Sequence, residues 1–479
     1  MRKKESMTPP VLRSLLVPLL TELDLSFCPY LVNRSLVQMI IVRCKNLTIL
    51  NLSRCTEIPA EALVDLVKAF PRLQSLNLSR TQCDTQVLLA VRSYCQRLQD
   101  LNISYCERLS PMSLLHLVYD PIAGSHCSQA LKTLTTGPQG PGRNRNAVLW
   151  SLVFVLLALP NLEGLFHDFH VVAVCLIYYQ EFDNTHIPPG FPSLERLARR
   201  RRSNPLNESS SELTVGLRLI YELYEDFWPM VYSVCPNMNA ASIILSGRSA
   251  LDQSFWRCSN LTKLSIRSRE PMDMREVLPV VTSLKAQLEQ LLLGGFSFVD
   301  ELSFHALLHH CVNLQTLKIV YFSPFVCYPG SPTNATPIRW DLNLLPRGMP
   351  NLRGFVLSQA DAENSLPYWH GLQLRECLES LLKHSPCLEE VGLSYLSFNL
   401  DQTFQNVLAA TPGTALRNLR KLTLEKVNVS FNTIQQLLLS DNELSCLKLF
   451  LCSEINEEMY DNLLRIVREE NLEVDIEWR

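Results

Sequence analysis

The chain has 479 residues, 47% of them hydrophobic, and a formal net charge of −3. That much apolar side chain excludes bulk disorder, and only 16 glycines exclude a collagen-like or low-complexity chain. The near-neutral balance supplies no domain-wide basic excess to displace phosphate counterions, so nucleic acid is not an expected partner.

The N-terminus is basic and then apolar, but the apolar run Val11–Leu20 contains Arg13 and Pro18, and no small-residue cleavage site follows. Residues 1–19 are therefore read as an N-terminal cap helix, and the protein as cytoplasmic or nuclear. Sixteen cysteines in so long a chain, with no C-x-x-C, read as reduced buried thiols. The uncharged stretch Ala147–Leu162 is shorter than the roughly 20 apolar residues of a membrane helix, and Pro160 ends it. It reads as a buried helix, and no membrane contact is expected.

From Leu20 onward the chain repeats itself. Four segments align as L-x-x-L-x-L-x-x-C: Leu20 to Cys28, Leu47 to Cys55, Leu73 to Thr81 (which replaces the cysteine) and Leu98 to Cys106. The same frame returns at Leu131, Leu162, Leu194, Met238, Leu261, Leu288, Leu314, Leu352, Leu388, Leu419, Leu444 and Leu472, about sixteen units from residue 20 to 479. Each L-x-L alternates with period two, a short strand with one buried face. Helical patterns lie between the strands. Leu63, Leu66, Val67 and Phe70 share one face, as do Phe304, Leu307, Leu308 and Cys311 behind Asp300, and Met459, Leu463 and Val467 behind Asn456. Ser110-Pro111 supplies an N-cap followed by proline at the first helical position. One strand and one helix cannot close a core alone, so stacked units must share one.

These repeats resemble the leucine-rich-repeat superfamily. The cysteine three after the last strand leucine (Cys28, Cys55, Cys106, Cys452) is similar to its cysteine-containing subfamily. So are the helix-ending cysteines Cys44, Cys95, Cys235, Cys258 and Cys311, each three residues before the next unit begins. The resemblance implies an α/β solenoid, a leucine-rich-repeat horseshoe with a parallel sheet on the concave face and helices on the convex face. It is strong over 20–110, degenerate over 120–240 and fair again over 257–479. The subfamily is best known among F-box proteins, the substrate receptors of cullin-type ubiquitin ligases, in which a helical F-box normally precedes the repeats. Here the first strand starts near Leu23, which leaves no visible room for one, so direct binding of ligase adaptor is not expected.

Four stretches interrupt the frame: 136–146, rich in glycine and proline; 199–211, basic and then polar; 321–341, with several aromatics; and 359–371. They read as loops. The run Val171–Tyr179 reads as a strand or a helix in a distorted unit. Each insertion follows a strand and precedes a helix, which would crowd them on one rim, a common binding edge in repeat proteins. The candidate protein-binding rim is Phe322, Phe325, Tyr328, Trp340, Tyr368 and Trp369. The candidate concave face is Asp24, Asn51, Asn77, Asp100 and Asn102, although Leu-Asn-Leu-Ser is also the subfamily's ordinary strand sequence.

Other motifs favour plain readings. His305 and His309 with His310 and Cys311, and His167 and His170 with Cys175, lack the flanking glutamate of a helical zinc site and read as ordinary helix residues. The basic run Arg199–Arg202 reads as a solvated loop, with a nuclear import signal as the sharper alternative. No phosphate-binding glycine loop or nucleophile elbow occurs, so no catalytic, metal or cofactor residue is assigned. The expectation is a non-catalytic protein-binding protein, in substrate recognition for a cullin-type ubiquitin ligase pathway. The alternative is a scaffold or inhibitor unrelated to ubiquitin. The partner is a protein, with ligase subunits among the candidates.

Overall fold

The computed structural model describes residues 8–137, 144–202, 213–246, 260–284, 287–297, 307, 311–322, 349–360, 368–410 and 416–479. It falls into two compact units, Met1–Ile220 with Phe227–Met238, and Tyr221–Asp226 with Asn239–Arg479.

The first unit opens with a short helix, α1 (Pro9–Leu15), whose Leu12 is buried. Then come strand and helix in turn: β1 (Glu22–Asp24), α2 (Arg34–Arg43), β2 (Ile49–Asn51), α3 (Ala60–Ala69), β3 (Ser75–Asn77), α4 (Thr85–Tyr94), β4 (Asp100–Asn102) and α5 (Pro111–Val118). A small antiparallel hairpin, β5 (Tyr119–Asp120) and β6 (Ser125–His126), interrupts the alternation. It resumes with β7 (Thr133–Thr135), α6 (Arg145–Ala158), β8 (Gly164–Phe166), α7 (His170–Tyr179), α8 (Leu194–Arg202), β9 (Leu219–Tyr224), of which Leu219 and Ile220 belong to this unit, and α9 (Trp228–Val234). The parallel register is the repeat written in space. Leu23 faces Leu50, which faces Leu76, and the column continues through Leu101, Leu134 and Leu165. From Leu50 on, every member of that column is at most 1% exposed.

Local chemistry fixes the helix ends. Asn33, Asp84 and Asn144 accept backbone N–H bonds at the starts of α2, α4 and α6, and Ser110 with Ser113 forms a capping box at α5. Cys44, Cys95 and Cys235 sit at the C-caps of α2, α4 and α9. The asparagine of the following Cys-x-Asn-Leu has a structural task as well. Asn46 Nδ2 donates to Pro18 O, and Asn161, at the corresponding place before β8, donates to Gln129 O. Each ties one repeat to the last.

The second unit contains β10 (Ala240–Leu245), β11 (Lys263–Asp273), α10 (Leu278–Leu284), β12 (Gln290–Ser297), β13 (Thr316–Phe322), β14 (Gly354–Gln359), α11 (Tyr368–His384), β15 (Glu390–Ser394), α12 (Asp401–Ala410), β16 (Lys421–Glu425), α13 (Phe431–Leu439), β17 (Cys446–Phe450), α14 (Glu457–Glu469) and β18 (Asp475–Trp478). Neighbours from β10 to β18 pair in parallel. The last repeat closes itself: Trp478 stacks on Tyr460, ring centroids 5.3 Å apart, and its indole donates to Ile455 O. Only Leu463 of α14 is buried.

Parallel strands paired in chain order, with helices in most of the described connections and two between β8 and β9, are the leucine-rich-repeat α/β solenoid. Sixteen repeat strands occur among the described residues. The unit expected at Leu194 is a correction: Leu194–Arg202 is helix α8, and the strand of that repeat is β9. Leu194, Leu197, Ala198 and Arg201 are its buried face, a spacing of three and four that belongs to a helix. The stretch 199–211 is therefore not an insertion after a strand. Val171–Tyr179 lies in helix α7, and Ala147–Ala158 lies in α6, ten of whose residues are buried. Tyr368–Gly371 belongs to α11 rather than to a loop. Among the described residues, no helix is long and apolar enough to cross a membrane.

Candidate functional site

In β2, β3, β4 and β7 the middle residue is buried, and the flanking residues are exposed or half-buried. The predicted column Asp24, Asn51, Asn77 and Asn102 lies on that outer face. Its side-chain oxygens are already engaged. Asp24, Asn51, Asn77 and Asn102 each accept the backbone N–H two residues on, from Ser26, Ser53, Ser79 and Ser104, at 2.8–3.0 Å. These are Asx turns that end the strand. The column is first a folding device. Asp100, at the start of β4, is exposed.

The next rim position lies outside the residues expected from the sequence. Arg54, Arg80 and Tyr105 have φ of 69°, 56° and 57°, and in the second unit Tyr395, Lys426 and Leu451 repeat the pattern at 59°, 49° and 52°. A left-handed residue with a side chain costs about 1–2 kcal/mol. Backbone bonding offsets that cost: Arg54 N donates to Ser79 O and Arg80 N to Ser104 O, both at 2.9 Å. The kink drives the following residue inward, so Cys55 and Cys106 are 0% and 5% exposed. It also pushes its own side chain outward. Tyr105 is 48% exposed, Arg54 and Arg80 are exposed, and Phe27 at the equivalent repeat position is 87% exposed. The Arg80 guanidinium lies 4.4 Å above the Tyr105 ring. Tyrosine, phenylalanine and arginine are the types enriched at protein interfaces. The signal available in the sequence is the residue between serine and cysteine in Ser26-Phe27-Cys28, Ser53-Arg54-Cys55 and Ser104-Tyr105-Cys106, with Thr81 in place of the cysteine after Arg80.

Of the expected aromatic rim, Phe322 ends β13 opposite Ser297 and is half-buried. Tyr368 and Trp369 open α11. Phe325, Tyr328 and Trp340 lie outside the described residues, so the gathering of the six stays an expectation.

The thiols are core groups. Cys28, Cys44, Cys55, Cys95, Cys235, Cys311 and Cys452 are all free and buried. Burial pushes Cys55, Cys95 and Cys311 up to about 12. His167 and His170 flank the start of α7, where His167 Nδ1 accepts from Phe169 N and His170 Nδ1 lies 2.7 Å from His167 O. His305, His309 and His310 lie outside the described residues. Among those described, no group of three or more His, Cys, Asp or Glu could hold a metal.

At the other end of the strands the first unit has a cavity of about 540 Å³. It is lined by residues that immediately precede strands (Gln99, Lys132, Glu163, Arg218) and by Arg201 of α8. Arg201 is a second correction. The basic run is helical, with Arg199, Arg200 and Arg202 exposed and Arg201 only 8% exposed.

No family model matches the chain. A 115-residue stretch is 34% identical to F-box/LRR-repeat protein 4 of Bos taurus, a match spanning 24% of this chain and 17% of that protein. Solved structures similar to the chain include the yeast Rad7–Elc1 complex, at 13% identity over 91% of this chain and 83% of that one, TM-score 0.44. LegL7 of Legionella pneumophila aligns at 14% identity over 78% and 95%, TM-score 0.31. An internalin of Listeria monocytogenes aligns at 12% over 92% and 88%, also at 0.31. At such TM-scores these alignments add nothing to the fold read from the repeat geometry.

Proposed function

We propose that this chain, a leucine-rich-repeat protein, is a non-catalytic protein-binding solenoid that recognises substrates in a cullin-type ubiquitin ligase pathway. The observation that carries the pathway is the 34% identity to the bovine F-box/LRR-repeat protein. The binding mode is supported by the outward column Phe27, Arg54, Arg80 and Tyr105, which offers interface-forming side chains on a backbone locked by the repeat. The partner docks over that column and the adjoining outer face at Asp24 and Asp100.

The test uses the full chain in cells. Tagged protein is captured with its partners, and the half-lives of those partners are measured with and without inhibition of cullin activation. The proposal expects at least one captured protein whose turnover slows both on depletion of the chain and on cullin inhibition. Tyr105→Ala combined with Arg80→Glu is expected to reduce capture at least tenfold with an unchanged melting curve. Stable partners whose half-lives ignore both treatments would sink the ubiquitin reading and leave a scaffold or inhibitor. Capture that survives the rim changes and fails instead in Trp369→Ala would move the site to the aromatic rim of 321–371.

A further inference from the structure

Protein recognition on the outer face makes no use of the cavity at the opposite end of the strands. Its wall is cationic. Lys132, Arg201 and Arg218 line it, and the one carboxylate among the described lining residues, Glu163, faces Arg218 at 3.8 Å. Arg201 is the unusual member. A guanidinium carries five N–H donors and cannot shed its charge at ordinary pH. Here Nε donates to Thr214 O at 2.6 Å and Nη2 to Pro160 O at 3.4 Å, while Nη1 has no hydrogen-bond partner among the described residues. A buried guanidinium held, among the described residues, by two carbonyls and by no carboxylate has been taken out of water at a cost.

The chain goes to some length to build this wall. A Cβ at Gly216 would lie 2.5 Å from Pro160 O, so only glycine lets the 214–218 segment approach the turn before β8 so closely. That approach brings Thr214, Gly216 and Arg218 into one lining with Pro160, Asn161 and Glu163. Side-chain amides of Gln99, Gln129, Asn161 and Asn237 complete it. The volume falls within the range of about 300–1,000 Å³ typical of small-molecule sites.

We infer that this cavity binds a small-molecule oxyanion, a phosphate monoester or a dicarboxylate, with Arg201, Lys132 and Arg218 as its cationic ligands. Among the described residues the lining carries two more positive than negative side chains, from Lys132, Arg201 and Arg218 against Glu163, which matches a doubly charged ligand. The planar fork of arginine suits phosphate and carboxylate alike, so the shared chemistry is the oxyanion.

The experiment titrates the full-length protein with inorganic phosphate at fixed ionic strength, following the ³¹P signal and the heat of binding, and then competes with malonate. Saturable phosphate binding is expected. Arg201→Gln should abolish it, and Lys132→Ala and Arg218→Ala should each weaken it at least tenfold. Both latter side chains are exposed, so these variants keep the test decisive if Arg201→Gln fails to fold. Displacement by malonate assigns the cavity to oxyanions at large; phosphate that malonate cannot displace narrows it to phosphate monoesters. Absence of saturable binding for both probes, or binding that all three variants leave unchanged, overturns the inference. So does a phosphopeptide that binds where inorganic phosphate does not.

Discussion

Leu78→Ala tests the stacked core most directly. Leu78 is 0% exposed, just beyond the inward leucine of β3, between Leu52 and Ile103 of the adjoining repeats, which are 0% and 3% exposed. Its backbone is pinned on both sides. Leu78 N donates to Asn102 O at 2.8 Å, and Leu78 O accepts from the Thr81 hydroxyl and the Cys106 thiol. Truncation removes about three buried methylene equivalents, about 2.4 kcal/mol at about 0.8 each. The neighbours cannot collapse into the gap because the ladder holds their spacing, so a cavity contribution adds to that. The expected loss is about 3–5 kcal/mol, the upper part of the range for buried leucines. Urea unfolding followed by circular dichroism measures it, with Leu19→Ala as the control. Leu19 is 85% exposed, and its truncation should cost no more than about 0.5 kcal/mol. A Leu78→Ala loss below about 1 kcal/mol would refute the claim that adjacent repeats share one rigid core.

Burial makes the thiols a source of alkaline sensitivity. Cys55 titrates near 12 in the fold against 9.0 for a free thiol, so its contribution is complete below pH 9 and falls as pH rises toward 12. Cys55→Ala should make the decline of stability between pH 9 and 11 shallower by about 1.4 kcal/mol per pH unit; an unchanged slope in pH-stepped urea unfolding would contradict the assignment. Native alkylation should modify exposed Cys387 and spare Cys28, Cys55 and Cys106, read by peptide mass spectrometry. Gly295→Ala should destabilise the second unit by more than about 1 kcal/mol, because Gly295 has φ +84° and an added Cβ would lie 2.3 Å from Ser268 O. A neutral effect in chemical denaturation would argue against the register shift between Gly294 and Phe296 where β12 pairs with β13.

Much of the architecture is readable because L-x-L marks a strand and the interval fixes the stacking. The failure at Leu194 has a specific cause. Leu194-x-x-Leu197 is common to both periods, and the position that separates them comes two residues later: a strand needs an apolar side chain at 199, where the sequence has arginine. The true strand is hidden because Ile220 and Leu223 stand three apart, with Glu222 at φ 52° between them, so the alternation slips by one residue. The outer face is less legible. A strand leucine such as Leu50 or Leu76 has one reason to be there, burial. Asn51 or Asn77 serves a turn and could serve a partner, and only the bond to the serine two residues on shows which task is already occupied. Arg201 passes for part of a solvated run because four arginines in a row look alike until a helix turns one of them inward.

The register columns also set a length rule. Leu50 and Leu76 are partners 26 positions apart, and Leu76 and Leu101 are partners 25 apart, with Asn51, Asn77 and Asn102 in the same relation. Residues in partner positions have equivalent surroundings, so removing one whole interval leaves the downstream repeats in their columns, while the longer steps from Leu101 to Leu134 and from Leu134 to Leu165 take up their extra length in the connections. Excising 52–77 would join Asn51 to Leu78 in the geometry that Asn77 and Leu78 already have.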